Sequence, residues 1–65
     1  MEENKIKKAL LALDAHRIGF PDKQWLLCYD RELNMLSVIS KVWLRQLKPP
    51  YLEIISEKDL RNKIK

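Results

Sequence analysis

Apolar residues recur along the chain at the spacing of helical faces, interrupted by a few sharp stop signals. Ile6, Ala9, Leu10 and Leu13 share one side of a helix while Lys7 and Asp14 lie elsewhere, which predicts an amphipathic first helix. Asn4 is placed to cap its start. The stretch "HRIGFP" ends it near Arg17. His16 and Arg17 suit the negative end of the helix dipole, Gly19 suits a left-handed C′ position, and Pro21 blocks continuation.

Asp22 can cap a second helix that gathers Trp25, Leu26, Tyr29 and Leu33 on one side, with Lys23, Gln24, Asp30 and Arg31 largely opposite. No Gly or Pro follows until Pro49, so a break is expected near "RELN", where Asn34 or Ser37 starts a third helix. On that helix Leu36, Ile39, Trp43 and Leu47 form the core face. Asn34, Ser37, Lys41, Arg45 and Lys48 fall within about 80° of one another on the other side, at about 100° per residue. Pro49 and Pro50 stop the helix, and "YLEII" suits a short strand. Ser56 with Asp59 resembles a capping box, and Ile55 with Leu60 a hydrophobic staple, opening a C-terminal helix over "SEKDLRNKIK". The expectation is a mainly α single domain over 1–65. The alternative is an α+β fold in which "QWLLCYD" and "MLSVIS" form a hairpin at 24–40. It is disfavoured by a turn without Gly or Pro and a first strand that does not alternate.

Composition narrows the classes. A chain of 65 residues with 46% hydrophobic residues is one small folded domain. Cys28 is the only cysteine, so no internal disulfide reinforces it, and a homodimer in a reducing, cytoplasmic compartment is expected. No apolar run is long enough for a secretory leader or a membrane span. Gly-rich phosphate loops, Cys pairs and His pairs are missing, so neither an enzyme, a metal site nor a cofactor is expected. His16 and Cys28 read as a surface histidine and a core thiol, and Trp25 and Trp43 as core residues that share helical phase with Leu and Ile.

Thirteen Lys and Arg against nine Asp and Glu give a net charge of +4, a mild preference for polyanions. Between Leu33 and Leu52 the only charges are Lys41, Arg45 and Lys48. A helix near residues 35–48 with these residues, Ser37 and Asn34 on one face suits the major groove of duplex DNA, with Lys5, Lys7, Lys8, Arg61, Lys63 and Lys65 on phosphates. In element order "LDAHRI", "DKQWLLCYDREL", "MLSVISKVWLRQL" and "YLEII" resemble the winged helix-turn-helix family, with the wing reduced or absent. The resemblance implies a three-helix core and a DNA-binding regulator or accessory protein. The alternative is a protein-binding adaptor or inhibitor that uses apolar residues off the core stripes: Leu11, Leu27, Val38, Val42 or Leu44.

Overall fold

The structure, a computed structural model, describes residues 2–64. Helix α1 (Glu3–Gly19) leads into a hairpin of β1 (Trp25–Asp30) and β2 (Met35–Ser40). Short helix α2 (Lys41–Leu47), strand β3 (Leu52–Ile55) and helix α3 (Glu57–Lys63) follow. The strands form one antiparallel sheet in the order β2-β1-β3. The fold is therefore α+β, and the mainly α, three-helix expectation is corrected. The segment expected as a second helix is β1, and the segment expected as the recognition helix near 35–48 is strand for its first six residues.

Both objections to the hairpin have local answers. Where the turn lacks Gly, the Asp30 carboxylate accepts hydrogen bonds from the backbone N–H of Glu32 at 2.9 Å and of Leu33 at 3.0 Å, an Asx-type cap on the turn. Asn34 then takes the left-handed conformation, φ 54°, which Asn tolerates better than most residues. β1 does not alternate because it is the central strand. Leu27 is buried on one face and Cys28 on the other, so neither face calls for polar residues.

On the first face, Trp25, Leu27, Leu36, Val38 and Ile55 pack against Ile6, Ala9, Leu10 and Leu13 of α1 and Leu60 and Ile64 near the end of the chain. The apolar stripe expected on α1 is the set of residues that α1 buries. Its ends differ from expectation. Glu2, not Asn4, occupies the N-cap; Gly19 is the last helical residue, without positive φ, and Phe20 is the C-cap. The helix end is clasped to β1 instead: Trp25 Nε1 donates to the Phe20 carbonyl at 3.3 Å, and the His16 ring meets the Trp25 ring edge-on at 4.7 Å.

The later elements follow sequence chemistry closely. Ser40, rather than Asn34 or Ser37, caps α2 by accepting from the Trp43 N–H at 3.2 Å. Lys48 ends α2 at φ 42°, before the prolines. Ser56 caps α3 through the Asp59 N–H at 3.3 Å, and Ile55 and Leu60 meet in the core as the staple requires.

Candidate functional site

In β-structure, directly paired residues point to the same face. The register places Leu26, Cys28 and Asp30 beside Ile39, Ser37, Met35, Leu52 and Ile54 on the second face of the sheet. This face is mostly apolar, yet none of its residues belongs to the core cluster beneath α1 and α3. Ile54 is 63% exposed and Met35 47%. Cys28 is fully buried at its centre, and burial pushes its thiol pKa up.

Helix α2, which packs against β2, adds Val42, Trp43 and Leu47, all exposed; Leu44 is half buried. Expectation and structure therefore part over these side chains. Val42 and Leu11 are exposed as the adaptor reading requires, whereas Leu27 and Val38 serve the core. Trp25 packs on the core as expected, but Trp43 is an exposed residue.

The five residues expected on one recognition face are divided. Asn34 sits in the hairpin turn and accepts a hydrogen bond from the Tyr29 hydroxyl. Ser37 lies in β2 opposite Cys28. Lys41 and Arg45, four apart, share a face of α2, Lys48 follows at its left-handed C-cap, and none of the three makes an ion pair among the described residues. They border the apolar side chains of α2, with no carboxylate in sequence between Leu33 and Leu52.

Of the residues expected on phosphates, Arg61 is committed elsewhere. It bonds Glu57 at 2.9 Å and Asp14 at 3.3 Å, while Arg17 bonds Glu57 at 2.7 Å. The Arg17 and Arg61 hydrogen bonds hold the Glu57 carboxyl down to about 2. Lys7 pairs with Glu3 at 3.6 Å, and Lys65 lies outside the described residues. Lys5 and Lys63 flank a cleft of about 480 Å³ that contains Tyr29, Asn34 and Leu36. Lys5 and Lys8 also flank a groove of about 320 Å³ between α1 and β2, lined by Ala9, Ala12, Leu36 and Val38.

Sequence reasoning missed Met35, Ile54 and the free edge of β2. The signal for the first two was their alternation with Leu36 and Ile55, visible only once both segments are read as strands. Among the described residues no group of three or more His, Cys, Asp or Glu side chains is placed to hold a metal ion, and no helix is long and apolar enough to cross a membrane. Comparison with family models, curated proteins and solved structures gave no match.

Proposed function

We propose that the chain is a small protein-binding module of the cytoplasm, an adaptor or inhibitor whose second sheet face and α2 receive another protein. One observation carries this reading: Met35 and Ile54 on the sheet, and Val42, Trp43 and Leu47 on α2, are exposed although the core on the opposite face is complete. Met35 and Ile54 share one sheet face, and Val42, Trp43 and Leu47 lie on the helix that follows β2 directly; exposed apolar surface of this kind is what interaction sites carry. The compartment rests on the lone cysteine.

The charges select the partner. Lys41, Arg45 and Lys48 border the apolar residues of α2 without a carboxylate of their own, so the complementary surface is apolar with an acidic rim. A second copy of the chain is a poorer occupant, since it would bring its own three cations to the same border. The test is affinity capture from nuclease-treated native extract with the wild type and with Ile54→Lys. A protein retained by the wild type, and lost both with Ile54→Lys and with the double variant Lys41→Glu/Arg45→Glu, supports the reading. Equal capture by all three rejects it.

A second reading, duplex DNA binding, keeps one specific support: Lys41 and Arg45 share a face of α2, Lys48 stands at its C-cap, and none of the three has an ion-pair partner among the described residues. A seven-residue helix offers few base contacts, so such binding would be mostly electrostatic. Its affinity would fall with salt at a log–log slope of about −0.9 per phosphate contact. Duplex binding at low salt that survives Ile54→Lys but not Lys41→Glu/Arg45→Glu would favour DNA over the protein partner.

A further inference from the structure

The outer edge of β2 carries an unpaired hydrogen-bonding ladder. The Lys41 N–H donates to the Gln24 carbonyl at 2.8 Å, one step beyond the Trp25–Ser40 pair. In an antiparallel pair hydrogen-bonded positions alternate, so Ile39, Ser37 and Met35 bond to β1. Leu36 and Val38 then point both their N–H and C=O groups away from the sheet, and Ser40 its N–H. The Arg31 N–H to Tyr51 carbonyl bond at 2.9 Å fixes the same phase independently: odd positions of β1 bond to β3 and even ones to β2. No hydrogen bond to the outward groups of Leu36 or Val38 occurs among the described residues.

Beside this edge lies the groove between α1 and β2. Its α1 wall is low at Ala9 and Ala12 and ends at His16, its sheet wall is Met35, Leu36 and Val38, and Lys5 and Lys8 stand on its rim with no carboxylate in the lining. A strand laid along β2 would turn alternate side chains into this groove, over the two alanines. Exposed edges of this kind are templates for an added strand, and natural edges are commonly blocked by Pro, a bulge or a charge pointing inward. β2 has none of these: its sequence is "MLSVIS", paired to β1 without interruption.

We infer that the β2 edge accepts an extended segment of another protein, alternating apolar and acidic residues, as a fourth strand of the sheet. The backbone ladder would supply affinity, the alanine-floored groove would select small or branched apolar side chains, and Lys5 and Lys8 would select acidic neighbours. A second copy of the chain is the competing occupant. Two-fold pairing of β2 with β2 would bring two Lys5 and Lys8 rims toward one gap without an acid on either side, which favours the acidic segment. This site adjoins the second sheet face at Met35, which lines the groove as well, but Lys5, Lys8 and the outward groups of Leu36 and Val38 belong to it alone, so a change at those residues tests it without touching Ile54 or α2.

The test uses a synthetic peptide of alternating valine and glutamate, blocked at both ends, titrated into isotope-labelled full-length protein and followed by backbone amide NMR. The expected result is shifts centred on Leu36, Val38 and Ser40, with slowed hydrogen exchange at the Leu36 and Val38 amides. A valine–lysine peptide of the same length should not bind. The double variant Lys5→Glu/Lys8→Glu should weaken the acidic peptide about tenfold or more, as expected for reversing two rim charges. Val38→Pro removes one outward N–H without touching the β1 ladder, as edge strands tolerate, and should abolish binding; if it does not fold, the lysine variant and the lysine peptide carry the test. Shifts confined to Cys28, Ser37 and Ile54, equal binding of both peptides, absence of binding, or a wild-type dimer that Val38→Pro dissociates would each overturn the inference. Only the first of these would speak for the other surface.

Discussion

Leu13 and Leu11 are neighbours in type and nearly so in sequence, yet one is 1% exposed and the other 69%. Leu13→Ala should cost about 2–5 kcal/mol by transfer and cavity terms, and Leu11→Ala about 0.5 kcal/mol or less. In a 65-residue domain the first is enough to shift the thermal midpoint by tens of degrees or abolish folding, which calorimetry checks directly. Cys28 gives a chemical counterpart. Its buried, raised thiol should resist a thiol-exchange reagent at neutral pH in the folded protein and react promptly in denaturant; rapid native labelling would mean that the second sheet face opens. Glu57 carries the acid dependence. Its carboxyl is held at about 2 against an ordinary 4.5, so the stabilisation it supplies is full above about pH 4.5 and is lost as pH falls toward 2. The group is partly exposed, so solvent screening limits the effect, and Glu57→Gln should remove about 1 kcal/mol or less at pH 7. Denaturant melts of the two proteins should converge near pH 2.

At the scale of elements, the hairpin turn and the α2 terminus each rest on a left-handed residue that is not glycine. Lys48→Gly should stabilise the fold by up to about 1 kcal/mol, because Lys pays a steric cost at φ 42° that Gly does not. Asp30→Ala should destabilise it by about 1–2 kcal/mol, leaving the Glu32 and Leu33 amides without their acceptor. These two positions also explain what was legible in the sequence. Helix α1 and helix α3 were readable because one-sided burial writes a helical period, and the Ser56 cap with the Ile55–Leu60 staple is local chemistry. The hairpin was misread because its turn depends on the Asp30 side chain and the left-handed tolerance of Asn34, neither of which looks like a Gly or Pro signal. Central β1 hides its own period by burying Leu27 and Cys28 on opposite faces. Helical spacing groups Asn34 and Ser37 with the cations, whereas the turn and β2 hold them apart from α2. Lys41 and Arg45 share a face because α2 begins at Lys41, and Lys48 follows at its C-cap.

Across the whole molecule, charge and apolar surface are distributed unevenly. Arg17, Arg61, Asp14 and Glu57 neutralise one another where α1 meets α3; among the described residues the cations without an ion pair include Lys5, Lys8 and Lys63 beside the clefts and Lys41, Arg45 and Lys48 on and after α2, with Lys23, Arg31 and Lys58 elsewhere. The main core cluster lies on one side of the sheet; Met35 and Ile54 on the other side and Val42, Trp43 and Leu47 on α2 are exposed around buried Cys28, while Leu11 and Ile18 of α1, Phe20 at its C-cap and Leu33 in the hairpin turn are exposed singly. That asymmetry is what a binding module of this size requires: one face for stability and one for a partner. Oxidative footprinting measures it most directly, since Met35 and Trp43 are both on the surface in question and both react readily with hydroxyl radicals. Both should be modified in the purified protein and protected in nuclease-treated native extract, while Phe20, exposed beside Trp25 at the far end of α1, is modified equally in each. Equal modification of Met35 and Trp43 in the two samples, or protection that nuclease removes, would contradict the protein-binding account.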